Sequence, residues 1–314
     1  MAQLNTHVKA SFSDHQMTYL VNRFLDVLKK ELQLEALGQK RDLPLHSGNV
    51  LKFNRWTLPT ANTTALTDGV SPDGTTMSSS TVSTTINGYG AYVTISDFLQ
   101  FTAINDTMKD SVDWLGYMAA LSRDSLIRNE LDANGTQRYT DPTNNSSKAN
   151  VETGTDVIAS SDLKIILRVM RKNDVKPFSD GLYRGVIHPL MEFDLISETA
   201  ASSFIILSAH NGSAGRTLEK GEIGTAFNIK LLRSTNIRAD ATSTNTYGNI
   251  FVGENAFGVS NLSGKDTEII VKPHGSAGTE DPLNQRATVG YKMYFGTKLL
   301  DANRAQILWA YNAG

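Results

Sequence analysis

The 314-residue chain contains no cysteine. That removes a disulfide framework, a thiolate zinc site and a cysteine nucleophile together, and it fits a reducing compartment. It also has no excess of either charge. The formal net charge is −2, which argues against a dedicated DNA- or RNA-binding domain and against a polybasic membrane-surface binder. No apolar run is long enough to span a bilayer. The N-terminal stretch MAQLNTHVKASFSDHQ lacks the apolar core of a signal peptide, so a soluble, non-secreted protein without membrane partners is expected. Lysine and arginine are absent from Thr57 to Met108. No internal repeat is visible.

Catalytic motifs are missing as well. Ser263-Gly-Lys-Asp266 has neither the first glycine nor the hydroxyl residue of a phosphate-binding loop. Gly88-Tyr-Gly90 has no third glycine in place, and Leu262 breaks a nucleophile elbow at Gly258–Leu262. His188 and Glu192 are the one imidazole–carboxylate pair worth weighing, and no third ligand is adjacent. No catalytic, cofactor or metal residue is therefore expected, and the chain reads as a non-enzyme.

What is present is a long helix from Asp106 to Gly135. Met108, Val112, Leu115, Met118, Ala119 and Leu126 recur at helical steps. Asp106 is placed to cap it, Asp110 and Asp113 suit the early turns, and Asn134-Gly135 suits a left-handed stop. At 1.5 Å per residue it is roughly 40 Å long, enough for the spine of a flat subunit. Before it, residues 1–12 read as a tail. A capping box at Ser13 and Gln16 opens a helix with Met17, Leu20, Val21, Phe24 and Leu28 on one face, ending near Gly38. This stripe packs on its own core or on a neighbouring subunit.

Val50–Leu58 and Ala91–Ser96 read as strands. Between Thr60 and Thr85 more than half the residues are Ser or Thr. A segment this long is a loose linker or a long hairpin ordered on a partner, and the flanking strands favour the hairpin. Ser96–Phe101 is a helical lead-in to the spine. Ser161–Lys172 is an amphipathic helix with Leu163, Ile166, Leu167 and Met170 on one face and Lys164, Arg168, Arg171 and Lys172 on the other. Leu182–His188, Phe227–Ile237, Gly248–Gly253 and Glu268–Lys272 read as strands, with a helix opened by Pro189. An irregular excursion spans 197–221 and ends in a turn at Glu219–Gly224, and Glu254–Gly258 reads as a turn and short helix. Ala287, Val289, Tyr291, Met293 and Phe295 alternate along a last long strand. Arg304–Tyr311 should be at least partly buried. The irregular mixture indicates an α+β fold.

This order of parts, with the segments Gly185–Leu195, Gly221–Gly224, Asn249–Gly258 and Gly290–Leu300, resembles the major capsid proteins of tailed bacteriophages, in particular a podophage-type family. Encapsulin shells and the herpesvirus capsid floor share that fold. The resemblance implies an N-terminal arm at 1–47, an extended two-stranded loop at 48–97, a peripheral domain with the spine helix at 98–154, an axial domain at 155–262 and peripheral return strands at 263–314. It implies a structural protein that self-assembles as pentamers and hexamers into an icosahedral shell enclosing packaged double-stranded DNA. An encapsulin-like compartment enclosing an enzyme cargo is the alternative. Portal, scaffolding and cement proteins would be partners, DNA would meet the inner face without sequence specificity, and the virion would be assembled in the bacterial host cytoplasm. Candidate subunit contacts are Arg23 and Phe24 on the arm, Trp56, Thr75 and Met77 on the loop, and Arg168 and Arg171 on the basic helix. Some shells of this type are cross-linked through a loop lysine. With no lysine from Thr57 to Met108, that cross-link is not expected.

Overall fold

A computed structural model describes residues 19–24, 33–57, 59–104, 106–141, 146–151, 156–197, 222–240, 245–265, 267–276 and 281–312. The expected capping box at Ser13 and Gln16, most of the arm and residues 198–221 of the excursion lie outside them.

In chain order the strands are β1 (Gln39–Lys40), β2 (Val50–Trp56), β3 (Ser79–Thr85) and β4 (Asn87–Ser96). Helices α1 (Asp97–Thr102) and α2 (Thr107–Asn134) follow, then β5 (Thr136–Tyr139), α3 (Ser160–Lys172), β6 (Tyr183–Ile187) and α4 (Pro189–Ser197). The chain continues through β7 (Glu222–Ala226), β8 (Ile229–Arg233), β9 (Thr246–Val252), β10 (Phe257–Asn261), β11 (Thr267–Lys272), β12 (Arg286–Leu299) and β13 (Ala305–Tyr311). They form a five-stranded sheet around β12, a six-stranded sheet in the order β5-β13-β9-β6-β8-β7, and the β2–β3 ribbon.

The spine helix α2 is capped by Asp106, whose carboxylate accepts the Lys109 N–H. Val112, Leu115, Ala119 and Ala120 are buried against Val289, Tyr291 and Met293 of β12 and Ile95 of β4. Small residues at 119 and 120 let the helix lie close to the sheet. Its C-terminus differs from expectation. Gly135 sits at φ −71°, an ordinary extended conformation. Glycine is needed for clearance instead, because a Cβ there would fall 2.5 Å from the Leu131 carbonyl and 3.0 Å from Ile307.

β12 follows its sequence pattern: Ala287, Val289, Tyr291, Met293 and Phe295 are all buried. The ribbon corrects the loop's layout. Val50–Trp56 pairs with Ser79–Thr85, drawn from the Ser/Thr-rich segment, while the strand containing Ala91–Ser96 pairs with β12. The ribbon also stays on the body. Leu51 and Phe53 are buried with Leu43 and Ile86, and Thr84 donates to the Thr297 carbonyl at 3.3 Å. Among the described residues, those between Trp56 and Ser79 are all exposed. Lys52, the lysine of the 48–97 segment, lies in the docked ribbon.

Three further expectations change. The turn expected at Glu219–Gly224 is in part strand, since β7 begins at Glu222. Phe227 opens no strand; with Asn228 it forms the tight turn of the β7–β8 hairpin, at φ 48° and 60°. Glu254–Gly258 contains no helix, because Asn255 turns the chain at φ 55° and β10 begins at Phe257. A second core lies under the six-stranded sheet, where Leu163, Ile166 and Met170 of α3 meet Ile187, Ile229, Leu231 and Phe251. Among the described residues, no helix is long and apolar enough to cross a membrane.

Candidate assembly surfaces

The projecting loop carries the largest uncovered apolar side chains of its region. Trp56 is 61% exposed and Met77 78% exposed, with Leu66 and Val70 also in solvent. Thr75 is exposed between them. Such side chains at the end of a ribbon have no role in the subunit's own core.

A second uncovered surface lies along α1 and the outer side of α2. Phe98, Leu99, Phe101 and Ile104 stand out from α1 and its exit, and Trp114, Tyr117 and Leu121 follow on the spine helix. The spine therefore has two apolar faces, one on the sheet and one on solvent. An open cleft of about 490 Å³ between them is lined by Val93, Ile95, Leu99, Ser111 and Trp114. None of these residues is among the subunit contacts expected from the sequence. The usable signal was the run Phe98–Phe101, too apolar for a short lead-in helix with nothing opposite it.

The arm residues are placed otherwise. Phe24 is 1% exposed, tilted against Tyr291 at 6.1 Å and packed in the spine-helix core. In this conformation it contacts its own subunit and is closed to another. Arg23 makes a paired hydrogen bond and ion pair with Asp113, which holds its guanidinium more firmly charged. Arg168 and Arg171 are exposed on α3, as the helical period requires. Arg168 lies near enough to Arg138 to lower that guanidinium's pKa, second to the effect of burial. The structure thus brings together Trp56 and the loop, leaves Arg168 and Arg171 on a separate face, and removes Phe24 from the surface.

The base of the arm is fixed by buried charge that sequence reading missed. Arg123 of α2 donates to Glu35 at 3.2 Å and to Asn261 at 3.4 Å. Asp124 accepts the main-chain N–H groups of Gln33 and Leu34 at 3.1 and 3.3 Å. Burial pushes the Asp124 carboxyl up to about 6 despite those bonds. The folded state therefore holds this proton to higher pH than the unfolded chain does. The cost of ionising it is fully present above pH 6 and falls away as pH drops toward the ordinary carboxyl value. Between pH 7 and pH 5 this one group should add roughly 1 kcal/mol of stability. Asp124→Asn should lose that pH-dependent increment, and with one acceptor oxygen for the Gln33 and Leu34 N–H groups it should be less stable than the wild type even at pH 7. Urea unfolding of the unassembled subunit at the two pH values checks it; equal pH responses in the two proteins would contradict the buried ionisation.

The one candidate reactive pair is occupied structurally. Glu192 is bound by Arg233 through two hydrogen bonds of 2.6 Å. His188 stacks on Tyr247 at 4.2 Å, and partial burial lowers its pKa. Among the described residues no cluster of His, Asp or Glu is arranged for a metal.

A family model described as phage capsid protein matches residues 79–307. The fold is that of solved capsids. The capsid of Ralstonia phage GP4 shares 16% identity over 88% of each chain, with a TM-score of 0.69. The capsid of cyanophage P-SCSP1u shares 17% identity over 90% of this chain and 89% of that one, with a TM-score of 0.64. A virus-like particle from Pyrococcus furiosus is also similar, at 13% identity over 93% of this chain and 99% of that one, with a TM-score of 0.55. No curated protein matches the sequence. A mixed fold held on a spine helix, exposed apolar surfaces and a family match over most of the length lead to one conclusion: this chain belongs to the phage capsid proteins, the structural proteins of a viral shell.

Proposed function

We propose that this is the major capsid protein of a tailed phage, assembling as pentamers and hexamers into an icosahedral head around packaged double-stranded DNA. The observation that carries this reading is the loop between Trp56 and Ser79. Every described residue there is exposed, and its apolar side chains have no cover from the other described residues. Closed symmetry presents such a loop to the same patch on each neighbour. The apolar stripe of α1 and α2 supplies a broad surface for these repeated contacts. The peripheral domain corresponds to the spine helix at 98–154 with the strands of 263–314, and the axial domain to 155–262.

The balanced composition suits a wall that encloses DNA without gripping it. A strongly basic wall would bind phosphates in a salt-dependent, sequence-independent way and hinder packing and release. Portal, scaffolding and cement proteins complete the assembly in the host cytoplasm. Purified protein should elute as megadalton particles or capsomers and show closed shells in negative stain. A stable monomer with no particles under any assembly condition would overturn this reading.

A further inference from the structure

Where the loop leaves the body, a cavity of about 160 Å³ is lined by Arg41, Arg55 and Arg304, by Asp301, and by the amides of Asn54 and Asn255. Three guanidiniums and one carboxylate leave a formal charge of +2. Each guanidinium carries five N–H donors. Asp301 takes one from Arg55 at 2.8 Å and one from Arg304 at 3.2 Å. Main-chain carbonyls take one from Arg41 at 3.1 Å and one from Arg304 at 3.2 Å. Among the described residues the other donors of these three guanidiniums take no further protein acceptor. The Asn54 side-chain oxygen accepts from Thr81, which leaves its amide N–H groups unspent. The chemistry presented is that of an oxyanion site, with forked donors matched to a carboxylate or phosphate.

The complementary charge lies on the same chain. Between Thr57 and Ser78 the loop carries Asp68, Asp73 and no cation, a formal charge of −2. Asp68 is displayed at the apex of a β-turn. The Val70 N–H donates to the Thr67 carbonyl at 3.1 Å, and Gly69 takes the φ of +75° that such a turn requires. Leu66 and Val70 flank it, both exposed. Among the described residues neither aspartate forms an ion pair within its own chain.

We infer that the arginine pocket at the loop root is a carboxylate-binding site, and that its occupant is Asp68 from the loop tip of a second copy. This rests on the shell reading above. Bidentate arginine–carboxylate pairing would fix the direction in which each loop crosses its neighbour, with Leu66 and Val70 covering apolar surface on either side. A contact between two different patches is heterologous, and with the rotation of a five- or six-fold capsomer it closes a ring.

The cysteine-free chain allows a direct test. Asn54→Cys at the pocket and Thr67→Cys beside Asp68 leave every charged partner in place. Shells of the double variant, mildly oxidised, should run on a denaturing gel as a ladder of linked copies that reductant collapses to monomer. Each single variant should stay monomeric. In parallel, Asp68→Arg should lower shell yield at least tenfold, and adding Arg41→Asp to it should recover most of the yield. Asp73→Arg should have a smaller effect. Normal closed shells with no ladder would overturn the pocket assignment and leave the shell reading intact. Wild-type protein without particles would instead sink both. A ladder also from Thr67→Cys alone would mean that tips meet tips, which overturns the pocket as well. Phosphate or sulfate occupying the pocket in place of Asp68 predicts unlinked shells.

Discussion

Replacing residues 58–77 with Asn-Gly is expected to give folded, soluble subunits that no longer close into shells. The Trp56–Ser79 pair ends the ribbon's ladder, and the Thr57 N–H still reaches the Ser78 carbonyl at 3.0 Å. A two-residue turn fits between Thr57 and Ser78, and Asn-Gly is the sequence that such a hairpin turn favours. Every described residue removed is exposed, so the thermal midpoint should move little. Assembly should suffer far more. A lasting interface buries about 1,200–2,000 Å², and this loop carries large apolar side chains that stand exposed. The boundaries matter. Deleting 60–85 would also remove β3 and expose Leu51, Phe53 and Ile86, so lost assembly there would report a damaged fold. Size exclusion and negative stain of the shorter deletion decide the matter. Closed shells of normal size would show that the loop is not the gripping element.

Periodicity made some of this molecule readable and concealed the rest for identifiable reasons. The spine helix and β12 each bury one regular face on the other, so apolar spacing reported both. β3 carries almost no apolar signal because it is a ribbon edge largely facing solvent, and its one buried side chain, Thr84, is held by a hydrogen bond. Phe227 looked like a strand residue by propensity, yet hairpin geometry placed it at positive φ, where local preference loses to the pairing of β7 with β8. β5 joins β13 in parallel from far away in sequence, and no local pattern encodes that. Phe24 was read correctly as an apolar face residue but its partner could not be. A helical stripe states that something must cover it, and here its own spine helix does.

The same gap explains why the charges along α2 went unread. Arg123 and Asp124 are charged residues in the middle of a long helix, yet they are 2% and 4% exposed. Their neighbours become visible only once the arm's base returns to the spine. Arg123→Met should therefore be among the costliest single changes in the subunit. Among the described residues it leaves Glu35, 4% exposed, with Lys40 at 3.4 Å on the solvent side as its one ion-pair partner. It also removes the guanidinium stacked 5.3 Å from the Phe295 ring. Stranding one member of a buried pair costs about 3–5 kcal/mol. Replacing both charges together, Arg123→Met with Glu35→Gln, should recover more than half of that loss, because the cost lies in the unpaired buried carboxylate and little in the missing attraction. Chemical denaturation of the unassembled subunit measures both variants. A loss below about 1 kcal/mol for the single variant would mean that water reaches Glu35 and that the arm's base is not sealed. A large loss that the double variant fails to recover would place the cost in packing against Phe295. Burial on both sides of the pair favours the electrostatic outcome, and with it a spine helix that holds the arm by charge as well as by Phe24.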